Sequence, residues 1–149
     1  MKIREALSAD IVALVQLEQA CFAGAAWGET AVEAVIQSTY RHAFVLENAA
    51  GRAVGYVILQ VVLDEGEIER IGILPDHRGQ GLGKYLLATV MERRQLARCF
   101  LEVRENNRDA KALYASLGFV TCGRRSGYYI DGTDAIMMRW ERDNNEETK

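Results

Sequence analysis

The residues whose types and spacing best suit chemistry lie between Ile71 and Lys84. There Ile71-Gly72-Ile73-Leu74 runs through Pro75-Asp76-His77 into Arg78-Gly79-Gln80-Gly81-Leu82-Gly83-Lys84. An alternating apolar run, a turn and a glycine-rich loop opening on a helical pattern bring bare backbone N–H groups to a helix N-terminus. That arrangement suits an anion such as a phosphate. Glycines at 79, 81 and 83 leave no Cβ atoms to hold a ligand away from those amides. Two nucleotide motifs are excluded. A P-loop has Arg78 where its first glycine belongs and Tyr85 where its hydroxyl belongs. In a dinucleotide fingerprint counted from Gly79, the last glycine falls on Lys84. Downstream, Glu102 sits between Leu101 and Val103 on an apolar strand pattern, where partial desolvation would strengthen a carboxylate as a base. An ion pair with Arg104 on the same strand face is its plainer role. Glu67 and Glu69 are competing bases, although solvated turn and edge charge accounts for both more simply.

The elements that must position these residues follow from periodicity. Lys2 to Ala6 alternates as a short strand, and Ser8 is placed to cap a helix with Ile11, Leu14, Val15, Cys21 and Phe22 at roughly helical spacing. A small-residue loop from Ala23 to Gly28 carries Trp27, and Thr30-x-x-Glu33 reads as a capping box for a second helix. Strands are expected from Ala43 to Glu47, Ala53 to Leu63 and Ile68 to Leu74, with the acidic run Asp64 to Glu67 as a turn. Leu82, Leu86, Leu87, Val90 and Met91 form the apolar stripe of the helix after the glycine loop. A strand from Cys99 to Arg104 precedes a helix beginning at Asn107 and stopped by Gly118. Two last strands, Phe119 to Cys122 and Ala135 to Trp140, flank the aromatic segment Tyr128-Tyr129-Ile130-Asp131-Gly132. The order β-α-α-β-β-β-α-β-α-β-β predicts an α/β domain on one mixed, mostly antiparallel sheet with about four helices. It spans residues 1–140, and 141–149 is a polar tail expected to be disordered.

Bulk properties narrow the class. A chain of 149 residues can bury a core without staples. A net charge of -3 argues against direct nucleic-acid binding. Three cysteines, Cys21, Cys99 and Cys122, lack the C-x-x-C spacing of a metal site, so no metal and no disulfide framework is expected. The first residues show no secretory h-region, and the longest apolar run is too short to cross a bilayer. The expectation is a soluble cytoplasmic protein with no membrane partner.

The pattern Arg78-x-x-Gly81-x-Gly83 is that of the GCN5-related N-acetyltransferase superfamily. The segment Leu101-Glu102-Val103-Arg104-x-x-Asn107-x-x-Ala110-x-x-Leu113-Tyr114-x-x-x-Gly118-Phe119 also resembles it, as does Tyr128-Tyr129 with Asp131-Gly132-x-Asp134-Ala135 and Met138. More narrowly, these residues are similar to the bacterial ribosomal-protein-alanine N-acetyltransferases. The match runs from about Val61 to Met138, and the first sixty residues match loosely around Trp27. The resemblance implies acetyl-CoA as cosubstrate, its pyrophosphate held by Arg78, Gly79, Gln80, Gly81, Leu82, Gly83 and Lys84. It implies that Ile71, Gly72 and Ile73 pair with the pantetheine arm like an added strand, the Ile73 N–H polarising the thioester carbonyl. It makes Glu102 the proton acceptor, through water, and Tyr114 the acid that protonates the leaving thiolate; without it Tyr114 is a core tyrosine. Asn107 can cap its helix and also bond the coenzyme arm. Trp27, Tyr128 and Tyr129 become walls of a slot for a peptide N-terminus, with ordinary packing as the alternative. Single exposed cations such as Arg78, Lys84 and Lys111 can reach phosphates or simply be surface. His77 reads as a solvated loop residue, and His42 has no evident partner.

Deprotonating an α-amine at pH 7 costs about 1 kcal/mol, against about 4.6 for lysine. One modest carboxylate base therefore suits an α-amine better. The expected activity is acetylation of a protein N-terminus, the alanine of a ribosomal protein, by direct transfer. Small-amine or lysine acetylation on the same fold is the first alternative, and a non-catalytic acyl-CoA sensor the second.

Overall fold

The computed structural model describes residues 1–143. In chain order the elements are β1 (Lys2–Glu5), α1 (Ile11–Phe22), α2 (Glu29–Gln37), β2 (Arg41–Glu47), β3 (Ala53–Val62), β4 (Glu65–Ile73), α3 (Leu82–Arg93), β5 (Arg98–Arg104), α4 (Arg108–Ser116), β6 (Val120–Arg125) and β7 (Ala135–Glu141). This is the order expected from periodicity. The seven strands form one sheet in the order β1-β2-β3-β4-β5-β7-β6. Every neighbouring pair is antiparallel except β4 with β5, so the mixed α/β sheet with four helices is observed.

Strand parity assigns the helices to faces. Arg70 and Gly72 turn toward α1, where Glu18 and Cys21 meet them. Ile73, of opposite parity, turns toward α3, its side chain lying close to Gly83. Both layers join one continuous core that includes Leu14, Val35, Val57, Leu59, Leu87 and Val90.

Several local expectations are corrected. Ser8 does not cap α1: it begins a 3-10 turn, Ser8–Asp10, in which the Asp10 carboxylate accepts the Leu7 N–H at 2.8 Å. Thr30 and Glu33 form no capping box, because α2 starts at Glu29 with Gly28 as its N-cap. The acidic run is not all turn, since Glu65 to Glu67 already pair with Val62 to Gln60 and with Arg98 to Phe100. Cross-strand partners on both sides outweigh the low strand propensity of glutamate. The tail begins later than expected: Glu141 ends β7, and the Arg142 N–H donates to the Ala97 carbonyl at 2.8 Å. Residues 144–149 of that tail lie outside the described residues. Gly118 does stop α4, at φ +100°.

Candidate active site

The parallel strands β4 and β5 pair only at Glu65↔Arg98, Gly66↔Cys99 and Glu67↔Phe100. Beyond that they separate, and the sheet opens at its middle. The Leu74 N–H donates to Val54 on the β3 side at 2.9 Å. Alternation along the strand therefore turns the N–H groups of Ile71 and Ile73 the other way, into the opening, while Gly72 faces β3. Gly72 is required on packing grounds, since a Cβ there would lie 2.8 Å from the Tyr56 ring and 2.9 Å from Cys21 Sγ.

Above the opening, a 3-10 turn, Pro75–His77, leads into the glycine loop. The first backbone donor of α3 to find a helical partner is the Tyr85 N–H, on Gly81 O at 3.0 Å. No backbone N–H from Gly79 to Lys84 has a partner among the described residues, which leaves a row of donors at a helix N-terminus. Gly79 and Gly81 adopt φ +80° and +78°, with nothing within 4 Å of where a Cβ would stand. Gly83 serves packing instead: a Cβ there would approach Leu113 Cδ1 of α4 to 2.9 Å. The Arg78 side chain turns back, its Nε donating to the Ile73 carbonyl at 2.8 Å. Gln80 and Lys84 are exposed, and Leu82 is half-buried.

Glu102 lies on β5 opposite Met137 of β7. The expected desolvation is absent: the residue is exposed, because β4 has already departed from β5 at that level. Nor does it pair with Arg104. Its neighbour is Arg125 Nη2 at 3.6 Å, while Arg104 pairs with Asp131 at 2.9 Å and covers the Tyr129 ring at 4.0 Å. Tyr114 is buried on the inner face of α4, 5.8 Å from the Phe119 ring. Burial is the main cause that pushes its phenol up to about 12, with Cys99 adding to it. Its hydroxyl has no hydrogen bond among the described residues, and its proton is free for a ligand. Asn107 caps α4, Oδ1 accepting the Ala110 N–H at 3.1 Å, which leaves its side-chain N–H₂ unused.

The three aromatics expected at the slot stand on two sides of the opening. Tyr128 and Tyr129 meet edge to face at 5.2 Å on the β5 side, with Arg125 5.4 Å from the Tyr128 ring. Burial, then the Glu102 carboxylate, raises the Tyr129 phenol. Trp27 stands on the β4 side, with Arg70 5.0 Å and Arg41 5.6 Å from its ring. Glu69 is held by both Arg41 Nε and Nη2, at 2.9 and 3.1 Å, which removes it as a base. Glu67 is exposed. His77 pairs with its neighbour Asp76, and His42 does have partners, Glu5 at 3.1 Å and Arg94 at 3.3 Å.

One cluster escaped the sequence reading. Glu18 of α1 is fully buried. Its Oε1 accepts the Trp27 backbone N–H at 2.7 Å and Arg70 Nη2 at 2.8 Å, and its Oε2 accepts the Tyr56 hydroxyl. Arg70 Nη2 also donates to Ala25 O at 2.7 Å, and its guanidinium lies 4.0 Å from the Phe22 ring. The signal was present. Leu14, Leu17, Glu18 and Cys21 follow helical spacing, so a glutamate stands where the apolar stripe requires a core residue.

The profile of the acetyltransferase (GNAT) family matches residues 11–119. The N-alpha-acetyltransferase RimI of Mycobacterium tuberculosis is 34% identical over 137 residues, covering 88% of this chain and 86% of that protein. The ribosomal protein bS18-alanine N-acetyltransferase of Escherichia coli strain K12 is 45% identical over 94 residues, 59% of this chain and 64% of its own length. The crystal structure of the ribosomal-protein-S18-alanine N-acetyltransferase from Escherichia coli superposes with a TM-score of 0.85 at 35% identity, over 97% of each chain. The family match spans most of the chain and includes β4, β5 and the glycine loop, and the chain belongs to the acetyltransferase (GNAT) family.

Proposed function

We propose that this chain is an acetyl-CoA-dependent protein N-terminal α-amino acetyltransferase whose acceptor is the N-terminal alanine of a ribosomal protein. The observation that carries this reading is the opening between β4 and β5, with the Ile71 and Ile73 N–H groups facing into it. An extended pantetheine arm can pair there as a strand. The unpartnered amides from Gly79 to Lys84 take the pyrophosphate at the α3 N-terminus. Arg78 and Asn107 complete the donor site, and Gly72, which faces β3, lets β4 pack against Tyr56 and Cys21.

Glu102, through a water, accepts a proton from the acceptor ammonium. The neutral amine attacks the thioester carbon, and the Ile73 N–H stabilises the oxyanion. Collapse breaks the C–S bond, the Tyr114 hydroxyl gives its proton to the departing thiolate, and the proton shed by the newly acylated nitrogen passes through water to restore the Tyr114 hydroxyl. The exposure of Glu102 suits an α-amine, which needs only a modest base. Trp27, Tyr128 and Tyr129 wall the acceptor slot. Relatives named for acetylating a ribosomal protein support the acceptor, and with it action in the cytoplasm. No helix among the described residues is long and apolar enough to cross a membrane.

A panel of peptides differing in their first residues tests the reading. Acetylation of Ala-initiated peptides, read as mass gain on the α-amine, is expected. Transfer to free small amines or lysine side chains but not to those peptides overturns the acceptor.

A further inference from the structure

We propose that Arg70 is a positioning residue for the acceptor, acting through Glu18 and Trp27; the proposal rests on the acceptor reading above. Arg70 stands on β4 one residue before Ile71, so it shares the strand that carries the donor-facing amides. Its guanidinium makes four connections to the segment that supplies the β4-side wall. It forks onto Glu18, which in turn holds the Trp27 N–H at 2.7 Å. It donates directly to Ala25 O at 2.7 Å. It stacks against Phe22 at 4.0 Å and lies 5.0 Å from Trp27.

Besides Arg70 and Glu18, the loop from Ala23 to Gly28 is held by its own turn, the Ala26 N–H on Ala23 O at 3.1 Å, and by the packing of the Trp27 ring on the core. Ala23, Gly24 and Ala25 are exposed and carry almost no side-chain packing, and Ala23 sits at φ +41°, a conformation that costs a non-glycine residue free energy. A buried carboxylate bridged to a guanidinium is a costly way to stabilise a fold but a directional way to hold one segment against another. The Tyr56 hydroxyl on Oε2 fixes the rotation of the carboxylate, so the Trp27 backbone has one position relative to β4. Trp27 is thereby registered against Ile71 and Ile73, and the acceptor amine against the thioester.

Removing Arg70 alone strands the Glu18 charge and threatens folding, so Arg70→Gln is measured beside the paired Glu18→Gln/Arg70→Gln variant and beside Arg70→Lys. With an Ala-initiated peptide, the paired variant should raise acceptor KM about tenfold, with kcat and acetyl-CoA affinity held within about twofold. Lysine should restore only part, because it cannot fork onto Glu18 and reach Ala25 together. A second readout does not depend on the acceptor. The chain has two tryptophans, so a Trp140→Phe background isolates Trp27. Acrylamide quenching of Trp27 should rise about twofold when the guanidinium cover is lost. Unchanged peptide KM with Trp27 still shielded overturns the proposal, and so does an equal loss of acetyl-CoA affinity. A wild-type chain inert toward the peptide refutes the acceptor instead, and the quenching result then decides the role of Arg70 by itself.

Discussion

Arg125 Nη2 lies 3.6 Å from the Glu102 carboxylate, and the same guanidinium is 5.4 Å from the Tyr128 ring. A cation thus already rests between the proposed base and one wall of the acceptor slot, where an incoming ammonium would stand. Glu102→Gln keeps the shape and removes the base. kcat should fall about a hundredfold, the ordinary scale for loss of a general base. Because Glu102 is exposed, unfolding free energy should move by no more than about 0.5 kcal/mol. Steady-state kinetics beside urea denaturation checks both, and full activity in the variant would remove Glu102 from the mechanism.

Tyr114→Phe separates an enzyme from an acyl-CoA sensor. The ring stays packed against Phe119 and only the hydroxyl is lost. Acetyl-CoA binding, followed by calorimetry, should be retained while turnover drops about a hundredfold. A variant that turns over normally would return Tyr114 to the role of a core residue.

Buried protonated groups set the alkaline limit of stability. Burial raises the Tyr114 phenol and the Cys99 thiol each to about 12, and it raises the Tyr56 phenol too, next to the Glu18 carboxylate. The native state therefore holds these protons more tightly than the unfolded chain. Their contribution is complete below the unfolded values, about 8.5 for cysteine and 10 for tyrosine, and is lost as pH rises toward the folded ones. Tyr114 alone accounts for roughly 2–3 kcal/mol of that loss. Urea midpoints should be level up to about pH 8.5 and fall steadily above it, and Tyr114→Phe should flatten the decline. A midpoint that rises over this range would contradict the assignment.

Gly81→Ala tests the loop. At φ +78° an alanine carries roughly 1 kcal/mol of strain, and its methyl enters the open space over the amides. Acetyl-CoA affinity should fall more than stability does, which equilibrium dialysis beside a melting curve can show. Equal losses in the two would mean that the glycine serves the turn alone.

The sequence disclosed the order of elements because strand and helix periods alternate cleanly around the Ile71–Lys84 stretch. It disclosed the glycine loop and its unpartnered amides because glycine spacing is a backbone property. The acceptor side was less legible, since it is assembled from residues far apart in the chain. Glu102 looked buried among Leu101 and Val103, and only the departure of β4 from β5 leaves it exposed. Arg125, 23 positions away in the chain, is its neighbour in place of Arg104: it ends β6, two strands over, and its side chain reaches across β7 to Glu102. Ser8 and Thr30 had the right residue types for caps, but Asp10 and Gly28 occupy those places. Glu18 hid in plain view on an apolar stripe, with Arg70 some fifty residues away as the partner that makes it tolerable.

The three-residue pairing of β4 with β5 also bears on how much of the chain survives in the cell. An opened sheet has a strand edge in its interior, with backbone donors and acceptors that any extended chain can satisfy. In the proposed mode, acetyl-CoA occupies that edge when bound. By mass action a ligand at a hundred times its dissociation constant adds about 2.7 kcal/mol to the folded state. Starvation for the acetyl donor would then do more than idle this enzyme: it would expose a template for aggregation and lower the standing amount of protein.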